Sequence, residues 1–509
     1  MQQAINIVWF KRDLRTNDHA PLRAAIADGL PILLLYVFEP TVMAHHDSDI
    51  RHWRFVHESL QDLQSILGAY HHRLYYMHNE VQSVFEQLRL HYTIKNVFSH
   101  QETGNALTFS RDRQMSAFFK WNGIVWKEYQ TNGVIRLLKQ RLNWEKRWEE
   151  FMQRELEWVD LKKLHSVILE HNVYLQCKGE DLPSAILHPE EGFQRGGETM
   201  GWRYLTSFFA HRHRNYSAHI SKPHNSRTGC SRLSPYLAYG NLSMRQVYQQ
   251  AQRCIINGGS KRDLNNFISR LYWHCHFIQK FESECRIEVE NHNRALDAIV
   301  KPRKLEYIKA FENAQTGVPI IDACITCLVN TGYINFRMRA MLVSFFVFNL
   351  WQDWRDLHFL ARVFLDYEPG IHYPQLQMQA GTTGINTLRI YNPIKNSEEH
   401  DPQGTFIHKW LPQLVGVPLE HLHQPWSMSP LEQELYKCII GKDYPAPIVD
   451  LEATRREASE IMWGFRKNNF LQEENKRIIN RHTNKGSTFV KKRIAAQEIN
   501  QGDERMLGH

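Results

Sequence analysis

The chain has 509 residues, 42% of them hydrophobic and 23% charged, which is an ordinary balance for a soluble globular protein of two or three domains. No apolar run approaches the ~20 residues a membrane helix needs. Met1-Gln2-Gln3-Ala4 leads straight into an apolar strand without a charged leader, so a cytoplasmic protein with no membrane association is expected. The formal charge of +8 permits an acidic partner such as DNA without demanding one.

Residues 1–130 alternate as an α/β domain does. Ile5 to Phe10 and Ile32 to Phe38 are almost wholly apolar, as parallel strands buried on both faces should be. Trp53, Val56, Leu60, Leu63 and Leu67 fall at steps of three and four, the spacing of one helix face. Arg73 to Met77, Asn96 to Ser99 and Ile124 to Lys127 supply further strands, so a doubly wound parallel sheet is predicted. No Gly-rich fingerprint follows the first strand, and nothing there suggests a nucleotide cofactor.

Residues 131–195 read as an interdomain connection of charged helix, Pro183, Pro189 and a Glu190-Glu191-Gly192 turn. Residues 196–465 read as an all-α domain, with helices over Tyr204 to Phe209, Phe267 to Phe281, Lys304 to Asn313, Ile320 to Val329 and Arg337 to Leu350. Residues 466–509 are rich in Lys and Arg and read as a basic tail, either solvated or tethering DNA. The eight cysteines are scattered, and Cys324-x-x-Cys327 sits in an apolar run with no second pair to complete a metal site. They are read as reduced, buried small hydrophobes, and no metal is assigned.

The most informative segment is Ser231-Arg232-Leu233-Ser234-Pro235-Tyr236-Leu237, following Gly229-Cys230. A guanidinium, hydroxyls and turn N–H groups together suit a phosphate. This segment resembles the flavin-phosphate motif of the photolyase/cryptochrome family. The likeness extends from Val8-Trp9-Phe10-Lys11-Arg12-Asp13-Leu14-Arg15 through Thr316-Gly317-Val318-Pro319-Ile320-Ile321-Asp322-Ala323 to Lys409-Trp410-Leu411-Pro412-Gln413-Leu414, and covers about residues 5 to 465. The family implies an N-terminal antenna domain and a helical domain that holds FAD. It further implies blue-light chemistry on pyrimidine lesions flipped out of UV-damaged DNA by a monomeric lyase, or signalling to a protein partner by a cryptochrome.

Carried over residue by residue, the resemblance places Tyr216, Cys230, Ser231, Arg232, Leu233, Ser234 and Phe267 on the flavin-phosphate side. Arg339 and Asp366 match the family's ion pair beside the isoalloxazine, with Tyr367 and Glu368 following. His372 matches the position facing flavin N5, where an imidazole would give pH dependence near neutrality. On the substrate side stand Arg270, Trp273, His274, Phe336, Arg337, Met378 and Asn396. Trp273 is the retained lesion-packing ring, whereas Arg270 replaces the usual Glu, and Phe336 replaces the Asn or His that would name a lesion. Of the family's three electron-carrying tryptophans only Trp354 remains, the other positions being Leu376 and Phe311. Trp351, Tyr367, Tyr373 and Tyr391 could form a detour or serve structure alone. His100-Gln101-Glu102-Thr103-Gly104-Asn105 resembles a loop beside a folate or deazaflavin antenna.

Overall fold

The structure is a computed structural model and describes residues 2–483. Its N-terminal part is a five-stranded parallel sheet of β1 (Gln3–Phe10), β2 (Ile32–Phe38), β3 (Leu74–His78), β4 (Tyr92–His100) and β5 (Val125–Tyr129), in the order β3-β2-β1-β4-β5. The apolar runs make the central strands because helices cover both faces, and β2 is buried along its whole length. The flanking helices include α1 (Ala20–Asp28), α2 (Ile50–Gly68), α3 (Val81–His91) and α4 (Ala106–Trp121). Val56, Leu60, Leu63 and Leu67 line the buried face of α2, as their spacing predicts, and Asp49 caps its first turn by accepting from Arg51 N.

The stretch read as a loose connection is folded into the body. Helix α5 (Trp144–Gln153) places Trp144 and Trp148 in a core shared with Tyr248, Phe267 and Leu271. Trp144 Nε1 donates to Gln279 Oε1 at 3.0 Å. Its charged residues mask two large apolar anchors four positions apart.

The helical part follows, and four of its elements position the site. They are α6 (Lys261–Ser283), α7 (Pro319–Thr331), α8 (Phe336–Ser344) and α9 (Pro369–Gln379). Helix α9 lies close against α6, since a side chain at Gly370 would meet Ile278 Cα at 3.0 Å. Cys324 and Cys327 are fully buried on α7 among apolar neighbours.

The Lys11 to Asp18 motif knits the two parts together. Leu14 N donates to Tyr239 O at 3.2 Å and Arg15 Nη1 to Gly240 O at 2.9 Å. Gly240 has φ +69°, and any Cβ there would strike Arg12 O at 2.2 Å, so only glycine allows this approach.

The segment read as a tail needs correction over its first part. Beyond α10 (Leu451–Phe465), which lies within residues 196–465, the first part of that segment forms α11 (Asn469–His482), with Leu471, Ile478 and His482 buried. Arg477 pairs with Glu284 at 2.9 Å, and His482 Nε2 with Glu284 at 2.6 Å, which docks α11 on the helical domain. Lys485, Lys491, Lys492 and Arg493 lie outside the described residues. Among those described, no helix is long and apolar enough to cross a membrane.

Candidate functional site: a flavin-type pocket and a sheet-edge cavity

The centre of the helical part holds a cluster of buried ionisable side chains. Arg339, one turn into α8, donates through Nη2 to Asp366 Oδ2 at 2.8 Å. Burial works to raise the Asp366 carboxyl, but Arg339 overcomes it and holds the group below its usual range. The other oxygen, Oδ1, is buried and has no partner. Glu368, at the start of α9, is pushed up to about 8 by burial, so it is mostly the neutral acid at pH 7. His274 of α6 stands 3.4 Å from Glu368 Oε2, and burial pushes its pKa down to about 4.

The cluster thus offers an ionised acceptor, a protonated carboxyl donor and a neutral imidazole. Asp366 Oδ1 is an orphaned buried atom, and Glu368 Oε2 and His274 Nε2 are buried facing each other at 3.4 Å without a well-aligned hydrogen bond. Such atoms are costly without partners. A flat heterocycle whose edge carries both N–H and C=O groups would satisfy them, so the residues present fit a flavin.

The phosphate-side residues sit where the chain turns into the short helix Ser234–Ala238. Tyr216 and Phe267 form an aromatic pair, ring centroids 5.6 Å apart, and both are buried. The Cys230 thiol is buried and pushed up to about 12, so it stays protonated. Ser231 and Leu233 flank Arg232, which has φ +60°. The Arg232 guanidinium lies 3.7 Å over the Tyr333 ring and donates through Nη2 to Gln194 Oε1 and through Nη1 to Arg227 O, while its Nε is buried without a partner. Gln194, far upstream, carried no signal in the sequence.

His372 is half-buried between Tyr367 and Tyr373, each ring 5.4 Å away. Burial pushes its pKa down to about 4, so the expected titration near neutrality does not hold. The phenols of Tyr367 and Tyr373 both donate to Asp47 Oδ2, the first at 2.7 Å. Asp47 belongs to the N-terminal part, and sequence reasoning missed it because 320 residues separate it from Tyr367.

On the substrate side, Trp273 is half-buried, against His276 and Phe277 on its own helix at ring distances of 5.0 and 5.9 Å. Arg270 is exposed one turn earlier, and Phe336 is 45% exposed at the start of α8. Arg337 Nη1 donates to the Tyr391 hydroxyl at 3.3 Å. Met378 is half-buried on α9, while Asn396 donates to Asn392 O at 2.8 Å inside its own helix. Trp354 is buried, with Nε1 on Asn291 Oδ1 at 2.7 Å; Leu376 and Phe311 are buried too.

A second feature adjoins the His100 to Asn105 loop. An open pocket with a volume of about 100 Å³ lies at the carboxyl ends of β1, β2 and β4, lined among others by Lys11, Arg12, Glu39, Glu102 and Asn105. The strand order reverses between β1 and β4, which is the crevice where doubly wound sheets take ligands. Such a crevice arises from topology alone, so the missing Gly-rich loop did not forbid it. The His100 to Asn105 loop forms one wall.

A two-part architecture of this kind, with a paired Arg–carboxylate and orphaned polar atoms at the heart of the helical part, suits a flavin-binding protein. The family model for the FAD binding domain of DNA photolyase matches residues 267–464, and that for DNA photolyase matches residues 6–139. The chain is 26% identical over 491 residues to a deoxyribodipyrimidine photo-lyase of Alkalihalophilus pseudofirmus, covering 91% of this chain and 98% of the relative. It is 27% identical over 490 residues to a cryptochrome DASH of Synechocystis, covering 88% and 97%. A solved bacterial class III photolyase from Agrobacterium tumefaciens shares the fold at a TM-score of 0.79 and 21% identity, covering 92% of this chain and 99% of that one. The chain belongs to the photolyase/cryptochrome family.

Proposed function

We propose that this protein is a light-driven, FAD-dependent DNA lyase acting on UV-induced pyrimidine lesions. The observation that carries the reading is the Arg339–Asp366 pair with its orphaned Oδ1, set beside the neutral carboxyl of Glu368. When bound, FAD in its reduced form supplies a light-excited electron for splitting a flipped-out dimer.

The chain's own residues do the rest. Arg339 would set a cation near a bound flavin and so favour negative charge there. Asp366 would accept and Glu368 would donate to the ring's polar groups and so orient it. His372, neutral at working pH, lies next to the Tyr367 and Tyr373 phenols. Trp273 offers a partly exposed indole for stacking on a base, with the exposed Arg270 one turn away for backbone phosphate. The sheet-edge pocket has an aromatic lining, with Trp9, Tyr36 and Trp53, that suits the ring of a second chromophore of folate or deazaflavin type.

A cryptochrome-type photoreceptor is the second reading. It draws on the exposed Arg270 and Phe336, which depart from the lesion-binding residues of the family's lyases, whereas Leu376 and Phe311, standing where family members carry electron-relaying tryptophans, count against a sensor that needs flavin photoreduction. The deciding experiment uses purified protein with its flavin chemically reduced, under anaerobic blue or near-ultraviolet light. It is given one oligonucleotide with a cyclobutane dimer and one with a (6-4) photoproduct, and chromatography follows restoration of intact pyrimidines. Conversion of either strand is the expected result. No conversion of either, with FAD bound and reduced, would overturn the lyase and leave the photoreceptor.

A further inference from the structure

Three imidazoles crowd a single buried carboxylate at the seam between the two parts. Asp47 Oδ1 lies 3.0 Å from His358 Nδ1 and 3.5 Å from His46 Nε2, and His45 Nδ1 is 3.9 Å from Oδ2. Ligand atoms of His45, His46 and Asp47 all fall within 4.8 Å of one another. The rings themselves are packed, with centroids 3.9 Å apart for His45 and His46 and 4.0 Å for His46 and His358.

We infer that His45, His46, His358 and Asp47 form a binding site for a divalent transition-metal ion of the zinc type.

The spacing is the first argument. Four ligands at about 2.0–2.1 Å from a tetrahedral ion sit roughly 3.3 Å from each other. The separations of 3.0 and 3.5 Å from Oδ1 bracket that edge for His358 and His46, while His45 Nδ1 lies 3.9 Å from the other oxygen, Oδ2, and would turn toward Oδ1 to complete the set. Without an ion, His358 Nδ1 hydrogen-bonds Oδ1 at 3.0 Å; the ion would replace that contact and draw His46 into the same sphere.

The second argument is the shell behind the ligands. Oδ2 of Asp47 accepts from the phenols of Tyr367 and Tyr373, which aims Oδ1 at His46 and His358. Carboxylate ligands of metals are held in this way. The surrounding charge is permissive. Glu288 faces the cluster as a second carboxylate, and the nearby cation Arg362 is turned to the His46 carbonyl at 3.2 Å and to Glu312 at 3.8 Å.

The third argument is access. The side chains of His46 and His358 are 48% and 39% exposed, whereas Asp47 is 2% exposed, so the site has a buried anchor and an open mouth. Three nitrogens and one oxygen suit zinc, with copper, nickel or iron as chemical relatives, better than magnesium or calcium. Two other clusters do not compete. Glu284 is already taken by Arg286 and Arg477 beside His292 and His482, and Asp13 with His19 and His100 is bonded to Lys11 N and closed to solvent.

The ion would join the His45–Asp47 loop of one part to the helix His358–Val363 of the other, next to the tyrosines that flank His372. The test uses the full flavin-loaded chain, stripped by chelator and titrated with zinc chloride against a chromophoric competitor. One equivalent should bind tightly. His46→Ala and His358→Ala, both at partly exposed positions, should each weaken it by about 100-fold, and Tyr373→Phe, which keeps all four ligands, by about 10-fold. Zinc should also raise the unfolding temperature of the wild type and not of the double variant His46→Ala/His358→Ala. A wild type that takes up no stoichiometric zinc overturns the site. So does uptake unchanged in the folded double variant, which would assign the ion to others of the 28 histidines.

Discussion

Neutralising Asp366 probes the centre of the flavin reading. The Arg339–Asp366 contact of 2.8 Å gives a gross attraction of about 6 kcal/mol at an effective dielectric near 20, most of it offset by desolvation. Removing one charge from a fully buried pair costs about 3–5 kcal/mol, because the partner is left uncompensated. The Arg339 side chain is 26% exposed, so water takes over part of that role, and Asp366→Asn should lose about 1–3 kcal/mol of folding stability. The flavin loses more specifically. Asparagine cannot offer two acceptor oxygens, so the one facing the pocket loses its charge or becomes a donor. A hydrogen bond to a charged acceptor contributes about 1.5–3 kcal/mol, which corresponds to FAD binding about 10- to 150-fold weaker. The assay is fluorescence titration of FAD into flavin-stripped protein, with thermal unfolding followed in parallel. Wild-type FAD affinity in a variant that melts normally would refute the placement of Asp366 at the ring.

Trp273→Ala should weaken binding to lesion-containing DNA by about 1–3 kcal/mol through lost stacking, read by fluorescence anisotropy; unchanged affinity would remove the indole from the lesion pocket. Glu368 gives a pH prediction for the flavin-free protein. Its folded pKa of about 8 lies above the unfolded carboxylate value, so the protonated form's stability is fully present below the unfolded pKa and is lost as pH rises toward 8. The slope is at most about 1.4 kcal/mol per pH unit, and Glu368→Gln should flatten the melting temperature between pH 5 and 8. Equal slopes in the two proteins would mean that Glu368 is ionised. Trp354→Phe should scarcely slow flavin photoreduction followed by absorbance, since Leu376 and Phe311 interrupt the usual tryptophan series; a large loss would show that Trp354 still carries current.

The sheet was legible because burial on both faces writes itself into a strand as an unbroken apolar run, which Ile32 to Phe38 shows along its whole length. The helical part was legible through ordered wording such as Ser231 to Leu237 more than through periodicity. What stayed hidden is long-range pairing of polar groups. Asp47 reads as one acid in a polar loop until Tyr367 and Tyr373 arrive from the other end of the chain. The α11 segment reads as solvated charge because its docking is itself polar: His482 and Arg477 meet Glu284, with only Leu471 and Ile478 as apolar anchors. The connection before residue 195 hid Trp144 and Trp148 among glutamates and lysines for the same reason.

That blindness also bears on the net charge. A formal +8 invites the idea of a broadly cationic surface for DNA, yet many of the arginines are spent inside. Arg12 reaches Tyr367 O, Arg232 lies on Tyr333, Arg245 pairs with Asp18, Arg286 with Glu284 and Arg339 with Asp366. Even Arg337, the obvious phosphate clamp, is held by Tyr391. The count of positive residues therefore overstates the charge free to meet phosphate. Among the described residues, the cations free to meet phosphate are the exposed ones, and Lys261, Arg262 and Arg270 stand on the same helix as Trp273, so Arg270→Ala should weaken DNA binding and lower its salt dependence by about one phosphate contact.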